Sequence, residues 1–479
     1  MVETLPVRRA GPAVWALVGL LGLALGLLPP AALAAVLGGL LVVGLTLAAP
    51  VSGVYLAVLS VPVQELVQLP GGLSLTQAAV LLATGAWALR TLAHPERRLV
   101  LGLGAALWAG MIWALLLSSS ATPYSVNEAL KETSRWVVAF LVWLIAVNTI
   151  TRRRHVVGLL ACMLLAPAAA AVFGAWQFWS GSGPESFRID QALPYVRAYS
   201  TFGTPNAFAG YLNMAWPLAL ALAVGAFWHA KERPARAGAP PVPGRWALAL
   251  ALWLCAGLLA VALGLTFSRG SWLGGAIGLA LMPLALGGRM SRLSLAVIAL
   301  GVLVLALGGA NLLPQPLQNR LASITRAFAF FDPATVTVTP ENFAVVERMA
   351  QMKAGWDMFV GHPLTGVGPG NFNLAYADHS APPWYGSRGH AHNYYLNTAA
   401  LAGAIGLAAY LALVGGMAYR AFSRARRAHG LFWRSVGVGC CGIIAAVAGH
   451  NLFENLHALN MGIQLAAAWA LVWLPEDNM

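Results

Sequence analysis

Residues 246–287 read WALALALWLCAGLLAVALGLTFSRGSWLGGAIGLALMPLALG. No charge occurs from Trp246 to Ser268, Arg269 follows, and a second uncharged run reaches Gly287. At 1.5 Å per helical residue, each run approaches the length that crosses a hydrocarbon layer about 30 Å thick. The pattern recurs along the 479-residue chain, with apolar cores near 13–29, 31–49, 51–68, 73–92, 99–117, 134–150, 155–179, 207–229, 246–267, 270–287, 293–312, 395–419, 433–451 and 457–475. The first three are closely spaced and rich in Pro and Gly, so the expected architecture is an all-α polytopic membrane protein of about 12–14 transmembrane helices. Composition agrees: 59% of residues are apolar and 9% charged, with a mean hydropathy of +0.71, whereas a soluble domain carries roughly a quarter charged residues. A soluble enzyme is excluded.

The net charge of +13 raises the question of nucleic acid, and the location of the charges answers it. With the N-terminus cytoplasmic, Arg8, Arg9, Arg90, Arg97, Arg98, Arg152 to Arg154, Lys231, Arg233, Arg236, Arg245, Arg289, Arg292, Arg420, Arg424, Arg426, Arg427 and Arg434 fall inside. That places 19 of the 29 basic residues inside with five acidic ones, giving +14 there and −1 outside, as the positive-inside rule requires. Nucleic acid is not needed. Arg8 and Arg9 before the run Val14 to Leu28 resemble a signal peptide, but further apolar runs follow at once, so this is expected to be an uncleaved first span. The expected division is residues 1–312 for eleven transmembrane helices, 313–394 for one long outer loop containing short helices, and 395–479 for the C-terminal helices. Cys162, Cys255, Cys440 and Cys441 lie in apolar runs without zinc-ligand or disulfide-framework spacing.

Two outer segments stand out, 180–206 and 313–394, and long ordered loops tend to carry function. In the second, Thr339-Pro340-Glu341 offers a cap, a first-turn proline and an acid that start a helix. Val345, Met349, Met352, Trp356 and Phe359 continue it at helical spacing, an apolar stripe suited to the membrane surface, and Gly361-His362-Pro363 ends it. Arg348 lies beside that stripe.

Arg269 is a cation at a membrane boundary on the face where the inside rule does not recruit arginine, so an anionic partner is expected, with a snorkelling helix end as the plain alternative. Arg348 taken alone reads as a solvated charge or a partner of Glu347 or Glu341. His390, His392 and Asn393 stand just before a span, where imidazole suits a general base. A zinc site from His379, His390 and His392 is a weak alternative, because i, i+2 spacing lacks a nearby carboxylate or cysteine cluster. Gly366-Val-Gly368-Pro-Gly370 lacks nucleotide-loop spacing and reads as a tight turn. No two acidic residues are separated by a single residue, so the DxD pattern of metal-dependent glycosyltransferases is absent. No metal and no other cofactor is expected.

Four stretches, TFGTPNAFAGY (201–211), LTFSRGSWLGG around Arg269, Glu347-Arg348 running into HPLTGVGPGNF (362–372), and AHNYYLNTAALAGAIGL from Ala391, resemble, as an ordered set, the O-antigen ligase and polymerase superfamily of bacterial envelope glycosyltransferases. The resemblance covers roughly 190–460. It implies metal-independent transfer of a glycan from undecaprenyl diphosphate to an acceptor hydroxyl, lipid A-core or another polysaccharide, at the periplasmic face of the inner membrane. Carried over by motif, Arg269 and Arg348 look like the cations that hold the diphosphate, and His392 like the base that activates the acceptor. Asn206, Asn393, His450 and Glu454 are expected in support, with Asn393 orienting His392. The implied partners are the lipid-linked donor, the acceptor and membrane lipids. A polymerase or a protein O-oligosaccharyltransferase of the same superfamily shares this chemistry. A polytopic transporter of lipid-linked glycans is the reading from a different class, but it calls for charged or broken spans near mid-bilayer.

Overall fold

Ser74, Ser125, Thr204 and Asn393 each accept, through the side chain, a hydrogen bond from the backbone N–H three residues on, and each starts a helix. Proline at the first helical positions opens two others, at Pro30 and Pro50, and joins the Thr204 cap at Pro205. The computed structural model describes residues 29–67, 73–96, 98–189, 193–232, 243–306, 318, 331–339 and 342–476. Its helices are Pro30–Ala48 (α1), Pro50–Ser60 (α2), Leu75–Ala93 (α3), Gly102–Ser120 (α4), Val126–Thr149 (α5), Arg153–Ser180 (α6), Pro205–Asn213 (α7) and Trp216–Lys231 (α8). They continue with Pro243–Leu265 (α9), Arg269–Leu286 (α10), Gly288–Ala306 (α11), Phe343–Gly361 (α12), Phe372–His379 (α13), Tyr394–Arg427 (α14), Gly430–His450 (α15) and Gly462–Trp473 (α16).

The chain is an all-α polytopic membrane protein. Seven helices among the described residues are long and apolar enough to cross a membrane. Every expected core from 31–49 onward coincides with one or two of the helices, and no β-strand occurs among the described residues, where an isolated bridge pairs Arg188 with Val196. The expected span at 13–29, with Arg8 and Arg9, lies outside the described residues.

Small residues set the closest packing. Gly270, Gly274 and Gly278 recur every fourth residue on one face of α10, against Gly442, Ala446 and His450 of α15. A Cβ on Gly274 would collide with the Ala446 carbonyl, and one on Gly278 would lie 2.8 Å from the Gly442 carbonyl. Such small-xxx-small ridges let apolar helices meet backbone to backbone, where dispersion and polar contacts hold them in the absence of a hydrophobic drive. Asn213, fully buried, ties α7 to α10 by donating to the Ser271 carbonyl at 3.1 Å and accepting from Trp216 Nε1 at 3.0 Å.

Helix α14 is broken at Gly403, whose φ of 65° places it where only glycine is unstrained. The break strands backbone groups that the segment after α12 then satisfies. Val367 N donates to Ala400 O at 3.0 Å, Gly368 N to Leu401 O at 2.9 Å, and Ala404 N to Pro363 O at 2.8 Å. The glycine-rich stretch 366–370 is therefore a turn, as expected, and its task is to seat the long loop in the break. This seat fixes α12 beside the start of α14, where Ala391 would meet a Cβ on Gly355 at 3.0 Å.

Two expectations for α12 change. The helix begins at Phe343 with Asn342 in the cap position, and Asn342 Oδ1 accepts from Thr339 N at 2.7 Å; Pro340 and Glu341 lie outside the described residues. Its packed face is Val346, Met349, Ala350, Ala354 and Met358, offset from the expected stripe. Trp356 stays 55% exposed at one flank, because α14 and the loop cover the neighbouring face.

Candidate functional site

Arg269 owes its position to the turn between α9 and α10. Thr266 Oγ1 donates to Leu263 O at 2.7 Å, Ser271 Oγ to Ser268 O at 2.7 Å, and Trp272 Nε1 to Leu263 O at 3.2 Å. Phe267 sits in the left-handed region at φ 50°, and the network holds it there. Arg269 thus begins α10 at the lip of a polar cavity. That cavity is lined by Asn206, Arg269, Arg348, His450 and Glu454, together with Arg197. Five of the residues singled out in the sequence converge although up to 248 positions separate them in the chain.

Glu454, buried in the turn after α15, is the hub. Its Oε2 accepts from Asn206 Nδ2 at 2.7 Å, and its Oε1 lies 3.1 Å from His390 Nε2 and 3.7 Å from His392 Nδ1. His392 N donates to His390 Nδ1 at 3.1 Å. His390 is therefore a neutral imidazole with its proton on Nε2, directed at the carboxylate. Burial pushes the His390 pKa down to about 4, with Glu454 opposing and His392 and Arg348 assisting. Burial alone would raise the Glu454 carboxyl; the two imidazoles and Arg348 overcome it and hold the group well below the usual carboxylate range. Hydrogen bonds to a charged group contribute about 1.5–3 kcal/mol each, and a buried ion costs several kcal/mol. Asn206 and His390 together offset most of that cost.

His392 has φ 50°, a left-handed backbone that costs a non-glycine residue on the order of 1–3 kcal/mol. It is held by Asn393, which caps α14 through Leu396 N at 3.0 Å, and by Tyr394 N, which donates to Asn451 O at 2.7 Å. The Asn393 side chain therefore anchors the helix start, and with it the backbone that carries His392. His392 touches Glu454 but is not among the residues that line the cavity. Its Nδ1 faces the carboxylate without a hydrogen bond among the described residues.

His450 closes the cavity from the end of α15, its ring 3.0 Å from the place a Cβ on Gly270 would take. No hydrogen bond or ion pair to Arg348 occurs among the described residues. The sequence reading missed Arg197, which donates to Thr266 O at 2.9 Å and to Asn206 Oδ1 at 3.2 Å. Its signal was available, since it too is an arginine in a segment expected on the cation-poor outer face. The reading also ranked Glu454 with the supporting residues.

His379, one of the three histidines of the zinc alternative, bonds the Ala375 carbonyl at 2.8 Å, and the group whose ligand atoms lie within 4.8 Å of one another is His390, His392 and Glu454. The 3.1 Å His390–Glu454 separation is a hydrogen-bond distance, and it is also near the roughly 3.3–3.6 Å that separates ligand atoms bonded to one tetrahedral zinc.

Beyond His390 lies a second cavity of about 270 Å³, lined by Glu128, Lys131, Glu132, Arg135, Asn397 and other residues. Its charges pair along α5, Lys131 with Glu128 at 3.7 Å and Arg135 with Glu132. The His390–Glu454 contact is where the two cavities adjoin.

Residues 254–411 match a family model described as O-antigen ligase. The match runs from α9 into α14, about a third of the chain, and contains Arg269, Arg348, His390 and His392. It supports the O-antigen ligase superfamily resemblance and covers three of the four motifs, the stretch 201–211 lying outside it. A search of curated proteins finds no match.

Proposed function

We propose, from the O-antigen ligase match and the convergence of three arginines on one cavity, that the chain is a glycosyltransferase acting on a glycan linked to undecaprenyl diphosphate. The cavity of Arg197, Arg269 and Arg348 takes the diphosphate. Guanidinium pairs bidentately with phosphate oxygens and stays charged at every relevant pH. His392 Nε2 takes the proton of the acceptor hydroxyl, with Nδ1 toward Glu454 stabilising the imidazolium that forms, the division of labour familiar from carboxylate–imidazole pairs. The acceptor oxygen bonds the anomeric carbon as the bond to the diphosphate breaks, and the arginines hold the charge that develops on the leaving group. His390 is the positioning residue that keeps Glu454 aimed, and the cavity beyond it receives the acceptor. The site faces the periplasm and the protein lies in the inner membrane.

The observation that carries this reading is the meeting of Arg269, Arg348 and His392 around Glu454 from three separate parts of the chain. Convergence of the three arginines on one cavity beside the starts of helices argues against the transporter alternative. The test supplies purified protein in vesicles with a lipid-diphosphate-linked glycan and compares acceptors. One glycan joined to lipid A-core identifies a ligase, lengthening products a polymerase, and glycan on protein the third member of the set. No transfer to any acceptor contradicts the proposal. A second reading rests on the ligand spacing of His390, His392 and Glu454: a divalent ion at the hub. EDTA leaves transfer intact under the metal-independent mechanism and abolishes it under this one.

A further inference from the structure

Arg348 and Glu347 are successive residues of α12, so they project about 100° apart and face different hollows. Arg348 lines the polar cavity, while Glu347 forms the floor of a separate cleft of about 440 Å³ walled by Phe343, Trp384, Tyr385 and Arg388. The volume falls in the range of ligand sites. The cleft is rigidly built. Gln351, fully buried, accepts from Arg388 N at 3.0 Å and donates to Gly386 O at 3.0 Å and to Tyr376 Oη at 2.9 Å, and Tyr376 Oη donates to Trp384 O at 2.8 Å. Arg388 grips Glu347 Oε1 with Nε at 2.8 Å and Nη2 at 2.5 Å. This latch leaves a flat ion pair beside aromatic rings that remain open, Tyr385 at 68% and Phe343 at 45% exposure.

We infer that this cleft is a saccharide subsite that holds the glycan chain beyond the sugar joined to the diphosphate. The inference rests on the function proposed above. Sugars offer apolar C–H faces, which cover aromatic rings, and rims of hydroxyls, which bond planar polar groups such as the Arg388–Glu347 pair. Adjacency fixes the occupant, because the helix that turns Arg348 toward the diphosphate turns Glu347 toward the cleft, one helix diameter of about 10 Å away. The exposed apolar residues suited to lipid, Trp356, Val360 and Leu364, cluster at the other end of α12. A chain leaving the diphosphate therefore passes over Tyr385 and Phe343, and long glycans gain a hold that a single repeat unit lacks.

The test compares vesicle-reconstituted wild type with Tyr385→Ala, Phe343→Ala and Tyr385→Phe, using donors that carry one repeat unit or a long chain. The expected result is about a tenfold fall in kcat/KM for the long donor in the alanine variants, no change beyond twofold for the single-unit donor, and near wild-type behaviour in Tyr385→Phe. Equal effects on both donors, or on neither, overturn the subsite. Equal losses accompanied by poor recovery in the membrane assign Tyr385 to the lipid surface instead. Binding of a fluorescently labelled polysaccharide, released by mild acid from the producing cell's own lipid-linked pool, decides the point without catalysis. Binding to wild type that is lost in Tyr385→Ala supports the cleft even if no transfer occurs, and binding unaffected by that substitution overturns it.

Discussion

At Glu454 a single carboxylate gathers Asn206, His390 and His392, and the chemistry of the site follows from what each partner does to its charge. Replacing Glu454 with Gln keeps the shape and removes the charge, so transfer is expected to slow by about 10²-fold with the protein still folded, the scale of a lost acid–base partner; near-wild-type kcat refutes the dyad. The strained backbone at His392 makes a second expectation. His392→Gly abolishes transfer yet leaves the thermal transition unchanged or raised, because glycine relieves a left-handed φ at the cost of one ring. A lowered transition would show that the ring contributes more than the strain costs. The third concerns acid. His390 binds its proton near pH 6.5 when unfolded but only near 4 when folded, so the unfolded state gains protons first. Stability therefore falls as pH drops from about 6.5 to 4, by about 3 kcal/mol for this group. Glu454, depressed in the fold, adds to the loss as pH falls below its unfolded value. His390→Gln is expected to flatten the pH 6.5–4 part of the stability curve, and an unchanged slope assigns the acid sensitivity elsewhere.

Helices place these residues, and two of the placing devices differ in how openly the sequence displays them. The caps at Thr204 and Asn393 obey a local rule, since serine, threonine and asparagine before a helical run accept from the backbone three residues on, but the sequence reading placed a cap only at Thr339. The glycine ridge on α10 was present as Gly270, Gly274 and Gly278, but its partner face on α15 is 160 residues or more away, and no local rule selects it. The break at Gly403 was hidden for the same reason: its meaning comes from the carbonyls of Leu364 and neighbours that dock there. Gly274→Leu is expected to push α10 off α15 and to cost both activity and thermal stability, as overpacking does by about 1–3 kcal/mol. An unaffected variant would show that the ridge does not set the position of Arg269. The expected apolar stripe of α12 was offset for a related reason, since periodicity finds an apolar sector but not which of its edges the rest of the molecule covers.

Across the whole molecule, the class of fold was the most legible feature, because long uncharged runs admit few other outcomes. Arg269, Arg348 and His392 were singled out through motif and charge asymmetry, and the structure places the first two on one cavity and the third beside Glu454. Arg197 carried the same charge signal and was passed over, whereas the central position of Glu454 was hidden because it depends on a tertiary meeting point. Orientation is tested by labelling from one side of the membrane. With the basic loops cytoplasmic, Glu185→Cys reacts with an impermeant thiol reagent added from the periplasmic side and His94→Cys does not; the reverse pattern inverts the molecule and moves the site to the wrong face for the proposed chemistry. The central claim is that Arg348 and His392 act on one lipid-linked glycan. It is tested most directly by measuring glycan transfer from an undecaprenyl-diphosphate donor in vesicles containing wild type, Arg348→Ala or His392→Ala. The account predicts transfer by wild type and loss of at least about 10²-fold in both variants at equal membrane insertion; transfer at the wild-type rate by either variant contradicts it.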